Sequence, residues 1–251
     1  MSEKFRDHFS SHAELYASAR PTYPAELFQW LVGLVDRHDM AWDAATGNGQ
    51  AAVALKPFFS RVHATDASAE QIRSAPAVEG ISFLAEAAES PSLEADSVDM
   101  ITVAQAAHWF DLDRFFKASA FVLRPEGVLA LWCYERCTIA SEIDAVIESY
   151  YQSLDPYWPP QRALIESRYA TLEFPFLEIP APAFEMKLAW TSAQLVAYLE
   201  SWSATQRAAA SLAKDPLASI RAELPMLWGD ETRIVRWPIA MRVGRSEGTG
   251  G

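Results

Sequence analysis

The chain is poor in cysteine, in basic charge and in glycine, and each shortage removes a class of explanation. Its two cysteines, Cys133 and Cys137, make neither a disulfide framework nor a structural zinc set. Spaced C-x-x-x-C with no later histidine, they are not expected to hold metal. Lys and Arg number 21 against 33 Asp and Glu, a net charge of −12. Such a surface repels phosphate backbones and anionic lipid, so neither nucleic acid nor membrane is an expected partner. No stretch approaches the roughly 18 consecutive apolar residues of a membrane helix. The opening Met-Ser-Glu-Lys-Phe-Arg-Asp is too polar for a secretory signal. A cytoplasmic protein in a reducing compartment is the resulting expectation. Glycine is scarcer still where structure is expected: only five precede residue 229, and two of those, Gly47 and Gly49, stand one residue apart.

What is present is an ordinary soluble core. Half of the 251 residues are apolar and 22% are charged, which excludes global disorder and fits one large α/β domain or one domain with an insertion. Composition shifts near residue 137. All five histidines precede that point, whereas six of nine tryptophans and nine of fifteen prolines lie from residue 132 onward. A regular first part is therefore followed by aromatic, Pro-interrupted elements that wrap or cap it, and the tail Gly248-Thr249-Gly250-Gly251 is expected to be disordered.

The first part alternates helix and strand patterns. Leu27, Leu31, Leu34 and Val35 fall at helical spacing after Pro24. Ala41 to Ala44 reads as a strand entering the glycine loop, and Ala51 to Leu55 as a helix that Pro57 shortens. Val62 to Thr65 is a second strand ended by Asp66, and Ser68 to Gln71 matches a capping box. Ile81 to Leu84 and Val98 to Ala104 follow as strands. A helix from Asp111 to Leu123 precedes the turn Arg124-Pro125-Glu126-Gly127 and a fifth strand, Val128 to Trp132. This rhythm predicts a parallel sheet with helices on both faces. Later, Ser141 to Leu154, with Ser141 and Asp144 as a capping box, and Thr191 to Trp202 read as helices. Phe184 to Ala189 and Ile234 to Val243 read as two more strands. Pro238 inside the second of these demands an edge position or a bulge.

The informative stretch is Asp43-Ala44-Ala45-Thr46-Gly47-Asn48-Gly49-Gln50. Glycines at a strand-to-helix junction let the backbone turn sharply and approach a ligand. The helix that follows offers unpaired N–H groups to an anionic group. Asp66, ending the second strand, can accept from both hydroxyls of a ribose. A nucleoside ligand at the carboxyl ends of the strands is the prediction. Two ligand classes compete for it. Gly47-x-Gly49-x-x-Ala52 with Asp66 satisfies the permissive dinucleotide fingerprint. Asp43, a carboxylate four residues before Gly47, is not part of that fingerprint and favours the alternative.

Asp43-x-x-x-Gly47-x-Gly49 resembles motif I of class I S-adenosylmethionine-dependent methyltransferases (the methyltransferase type 11 domain), and Asp66 resembles their ribose-binding acid. Ala88-Glu89-Ser90-Pro91 with Asp96-Ser97-Val98-Asp99 is similar to the signature leading into their fourth strand. Leu123-Arg124-Pro125-Glu126-Gly127 is similar to the turn before their fifth, with Glu126 replacing a glycine. Tyr16-Ala17-x-x-Arg20-Pro21-x-Tyr23-Pro24 and Gln105-Ala106-x-His108-Trp109-Phe110 look more narrowly like the trans-aconitate-methyltransferase-like branch. The resemblance implies a Rossmann-like, seven-stranded, mostly parallel α/β sheet flanked by helices, with a helical aromatic-rich cap from the C-terminal part. It divides the chain into an N-terminal helical lid and first helix (1–35), an S-adenosylmethionine-binding core (36–137), cap helices plus the last two strands (138–245) and the tail (246–251).

The resemblance also implies residue roles. Ala45, Gly47, Asn48 and Gly49 cradle the methionine end of S-adenosylmethionine, Asp43 reaches its amino group and Asp66 binds its ribose. Ala67, Ala88 and Glu89 flank the adenine, although Ala87 stands where relatives often carry an acid. Ala104 and Gln105 line the sulfonium side. Tyr16 and Arg20 belong to a lid over the cofactor carboxylate. His108 and Trp109 face the transferred methyl; His108 suits a proton acceptor, and equally a loop hydrogen bond with Trp109 as core. The expected reaction is methyl transfer to a small-molecule acceptor, leaving S-adenosylhomocysteine, with catalysis largely by positioning. A carboxylate acceptor needs no base, whereas a hydroxyl or amine makes His108 the leading base. An acidic acceptor also needs a cationic clamp, for which Arg20, Arg162, Arg168 and Arg207 are candidates. Trp158, Trp190, Trp202 and Trp228 shape a pocket or simply fill the core. Two alternatives stand beside this reading: an NAD-dependent oxidoreductase, and a non-catalytic nucleoside-binding module.

Overall fold

The computed structural model describes residues 21–212 and 214–246. Tyr16, Arg20, the rest of the expected lid through residue 20, and tail residues 247–251 lie outside the described residues. Pro24 opens α1 (Ala25–Val32), whose Leu27, Phe28 and Leu31 turn inward at helical spacing. β1 (Met40–Ala44) follows, then α2 (Gln50–Leu55), β2 (Arg61–Asp66), α3 (Ala69–Ser74) and β3 (Ile81–Ala85). β4 (Val98–Ala104), a 3-10 turn at Ala107–Trp109, α4 (Leu112–Val122) and β5 (Leu123–Tyr134) complete the first part. β1 and β4 are buried along almost their whole length, as strands covered by helices on both faces must be.

The later elements are α5 (Ser141–Ser153), α6 (Arg162–Glu166), β6 (Leu177–Glu178), β7 (Phe184–Trp190), α7 (Ser192–Glu200), α8 (Ser203–Ser211), α9 (Ala218–Trp228) and β8 (Arg233–Arg245). The sheet order is β3-β2-β1-β4-β5-β8-β6, with β7 also paired to β8. β1 to β5 are parallel and β8 is antiparallel to β5. The sheet therefore has eight strands, not the expected seven. The extra strand is β6, which pairs with Arg245 and Gly244 on the side of β8 where β7 pairs further along. Pro180 and Pro182, which lack donors, interrupt what is otherwise one edge, so it appears as two pieces.

Three local expectations are corrected. Pro238 lies in an interior strand, not at an edge. Its carbonyl accepts from the Glu135 amide at 2.9 Å, one position beyond the last β5–β8 rung, Tyr134–Ile239. The missing N–H thus faces the side where the ladder has already ended. Ser141 does not cap α5; Ala140 holds that position, and Asp144 instead accepts from the Ile139 amide at 2.8 Å. Arg124 to Gly127 form a bulge within β5, with Glu126 at φ 65°, where a free turn was expected. Thr191 and Gln194 do form a full capping box on α7. Ser246, placed in the expected tail, donates its amide to Gly127 at 2.8 Å.

Two apolar clusters flank the sheet. One joins α1 and α2 to α5, α7, α8 and α9; the other packs α4, α6 and Phe176 on the opposite face. Among the described residues no helix is long and apolar enough to cross a membrane.

Candidate functional site

The strand order reverses between β1 and β4, two parallel neighbours from which successive connections run outward in opposite directions, and this opens a crevice at their carboxyl ends. The backbone there is unusual on both sides. Ala45 (φ 54°), just after β1, and Gln105 (φ 57°), just after β4, are non-glycines in the left-handed region. Gly47 (φ 58°) and Gly49 (φ 90°) share that region in the loop after β1. The two glycines differ in what a side chain would meet. A Cβ on Gly49 would lie 2.8 Å from the Phe83 ring, so Gly49 allows close packing under the loop. Among the described residues, a Cβ on Gly47 would have only Gln71 Oε1 near it, at 4.0 Å, so none of them crowds the loop at Gly47.

Two carboxylates organise the loop from below and beside it. Asp43, fully buried at the end of β1, accepts from the Thr46 hydroxyl at 2.5 Å and the Thr102 hydroxyl at 2.7 Å. Burial pushes its carboxyl up to about 6, against the lowering effect of those two hydroxyls and the Ala52 amide; the charge of Asp66 adds to the rise. Asp66, half-buried at the end of β2, accepts from the Gly47 amide at 2.9 Å and the Ser68 amide at 2.8 Å. Its grip on Ser68 explains why the capping box of α3 is only half made. Ser68 accepts from Gln71, but the amide a reciprocal Gln would take already belongs to Asp66. Asn48 stands between the glycines and Ala67 is exposed beside Asp66.

The third strand end brings Ala88 and Glu89 alongside. Ala88 is buried, and Glu89 accepts from the Asp111 amide at 2.9 Å, tying this loop to the start of α4. Glu86, unmarked in the sequence, bonds the Ser92 amide at 3.0 Å and His63 at 3.3 Å. Ala104 is half-buried and Gln105 accepts from the Tyr134 amide at 2.8 Å, so the strained residue is locked to β5.

Behind β4 lies a cavity of about 70 Å³ lined by Gln105, His108, Trp109, Trp158, Arg162 and Trp202, among others. His108 is buried, its Nδ1 has no hydrogen-bond partner among the described residues, and its ring lies 4.7 Å from that of Trp109. Burial, with the nearby positive charge of Arg162, pushes the imidazole down to about 3, so it is neutral at physiological pH. Of the expected cationic clamp, Arg20 lies outside the described residues, and among the described ones only Arg162 reaches this wall. Arg168 is largely exposed and pairs with Glu135 at 2.8 Å, and Arg207 donates to the Tyr157 carbonyl at 3.0 Å. Arg136, which nothing in the sequence marked, also lines the cavity. Trp158 and Trp202 belong to its wall, whereas Trp190 and Trp228 are core. Cys133 and Cys137 are buried thiols pushed up to about 12 by desolvation, and no cluster able to hold a metal occurs among the described residues.

The chain is similar to known proteins. The family model for a methyltransferase domain matches residues 42–131, which run from β1 into β5. A Dictyostelium discoideum protein named as a methyltransferase is 33% identical over 97% of each chain. A solved structure from Anaeromyxobacter dehalogenans, described as a type II methyltransferase, is 40% identical with a TM-score of 0.85, covering 91% of this chain and 99% of that one. A Saccharomyces cerevisiae protein named as an S-adenosylmethionine-dependent methyltransferase is 29% identical over 47% of this chain and 44% of its own length. The family match spans the strand ends from β1 to β4, the cavity wall beyond residue 131 lies outside it, and the likeness to the first two proteins runs nearly end to end. The chain belongs to the class I methyltransferase family.

Proposed function

We propose that the protein transfers a methyl group from S-adenosylmethionine to a small-molecule acceptor carrying a carboxylate, in the cytoplasm. The observation that carries the cofactor assignment is the pairing of an open backbone cradle at Gly47 with the half-buried Asp66 carboxylate beside it. The Asp66 oxygens accept the Gly47 and Ser68 amides, which fixes a carboxylate at the end of β2, the kind of group that binds ribose hydroxyls in the methyltransferases this chain resembles. Asp43 shapes the loop through Thr46 and Thr102, which makes it a positioning residue for the amino-acid end of the ligand. Ala45, Asn48 and Gly49 continue the cradle, Ala67, Ala88 and Glu89 border the adenine side, and Ala104 and Gln105 border the sulfur side.

S-adenosylmethionine supplies a methyl group on a sulfonium, so the acceptor oxygen forms its bond to carbon as the sulfur–carbon bond breaks and sulfur keeps the electron pair. The chain's own part is to orient the acceptor and exclude water. A neutral imidazole held near 3 is a poor proton acceptor at pH 7, so His108 acts as a wall and a hydrogen-bonding group. A nucleophile that is already ionised therefore suits the site, and a carboxylate is the commonest such group. The similarity of residues 105–110 to the trans-aconitate-methyltransferase-like branch supports the same acceptor class.

Titration calorimetry on the full chain with S-adenosylhomocysteine and with NAD tests the assignment. S-adenosylhomocysteine is expected to bind and NAD is not. Asp66→Ala is expected to weaken S-adenosylhomocysteine about tenfold or more, since hydrogen bonds to a charged group contribute about 1.5–3 kcal/mol. Binding of NAD alone, or full affinity in Asp66→Ala, overturns the reading. Transfer of a labelled methyl group to a panel of carboxylic acids and phenols then separates the acceptor classes.

A further inference from the structure

The cavity beside His108 contains a cation, Arg162, with which no described carboxylate pairs directly. Arg136 pairs with Glu148 at 3.1 Å, and Glu135 is taken by Arg168 at 2.8 Å. Arg162 has no carboxylate within 4.0 Å among the described residues. Its Nε donates to the Tyr151 hydroxyl at 2.8 Å, and that hydroxyl in turn donates to Glu166. One face of the guanidinium lies 4.2 Å from the Trp158 ring centre. One edge and one face are thus held, while the Nη donors have no partner among the described residues. A guanidinium fixed this way presents a planar fork that matches a carboxylate, and ordering it in advance removes most of the entropy cost of binding.

We propose that Arg162 anchors the anionic group of the methyl acceptor, with Tyr151 and Glu166 as positioning residues that aim its fork. Trp109, Trp158, Tyr198 and Trp202 around the same cavity give the acceptor's body flat aromatic walls, which favour a planar unsaturated or aromatic acid over a branched aliphatic one. This specificity rests on the cofactor and carboxylate-acceptor readings above but adds the residues that would recognise the acceptor.

The test uses full-length protein saturated with S-adenosylhomocysteine. Benzoate and its uncharged counterpart benzamide are titrated while tryptophan fluorescence is followed. Benzoate is expected to bind at least tenfold more tightly than benzamide. Arg162→Met is expected to remove that preference, leaving benzamide and S-adenosylhomocysteine affinities unchanged. Tyr151→Phe keeps the cation but releases its Nε edge, and is expected to weaken benzoate severalfold with no effect on benzamide. Arg162→Lys restores charge without the fork and is expected to recover only part of the loss. Melting points within a few degrees of wild type certify that each variant is folded. Failure of wild type to bind S-adenosylhomocysteine overturns the cofactor reading. Intact S-adenosylhomocysteine binding with no benzoate preference, or with a preference that survives Arg162→Met, overturns this inference alone.

Discussion

Asp43 shows at the scale of one residue how the site is held. Its carboxylate is fully buried, and two threonine hydroxyls only partly compensate for lost water. The carboxyl ordinarily titrates near 3.8 and is pushed up to about 6 in the folded chain, first by burial. Between those values the folded protein holds a proton that the unfolded chain has released, so stability falls as pH rises through this window and levels off above it. A rise of two pKa units corresponds to about 3 kcal/mol. Asp43→Asn cannot ionise but keeps hydrogen-bonding capacity toward Thr46 and Thr102. Relative to wild type, the variant is therefore expected to gain stability from pH 4 to pH 6, by up to about 3 kcal/mol, and then run parallel. Urea denaturation of both proteins across pH 4–8 measures the gap. A gap that shrinks over that range means the ionised carboxylate is the form the loop stabilises.

At the scale of an element, β8 does the most to shape the second half of the sheet. Its Gly244 is in register with Leu129 of β5 on one side and Glu178 of β6 on the other. An added Cβ there would sit 2.6 Å from Phe174 Cε1 and from Phe176 Cβ. Gly244→Val is expected to cost on the order of 1–3 kcal/mol of stability through overpacking, read as a lower urea midpoint with little change in slope. An unchanged midpoint means the Phe174–Phe176 segment yields freely. β8 also marks where sequence reasoning runs out. β1, β2 and β4 were legible because buried parallel strands are short apolar runs, here bounded by Gly47, Asp66 and Gln105, and the edge strand β3 because Gly80 precedes an apolar run. The two-residue β6 was not, because it exists only where β8 offers a partner 66 or more residues away in sequence. The same divide applies to the site. The glycine loop and Asp66 could be read from local pattern, and Thr46 stands three residues from Asp43. Thr102 reaches Asp43 from 59 residues away, and His108, Tyr151 and Arg162 meet through three separate segments. No spacing rule records such meetings.

At the scale of the molecule, the compositional break near residue 137 does not divide the core. The apolar cluster that contains Leu27 and Leu31 of α1 and Leu55 of α2 also contains Tyr150, Leu195, Trp228, Trp237 and Val243. β5 and β8 pair without a break from Val128–Arg245 to Tyr134–Ile239. The residues matched by the family model end inside that ladder, at 131. A fragment ending at residue 137 would expose the whole β8 side of β5, a long buried strand with unpaired N–H and C=O groups. Such a fragment is expected to keep much of its far-ultraviolet circular dichroism, lose the near-ultraviolet signal, bind a hydrophobic dye and self-associate. Adding residues 138–251 as a second polypeptide supplies the missing strand and the rest of the shared core, and is expected to restore the near-ultraviolet signal and S-adenosylhomocysteine binding together. If the fragment alone melts cooperatively and binds S-adenosylhomocysteine as tightly as the full chain, the later elements are a separable cap, and the shared cluster contributes packing without deciding whether the first part folds.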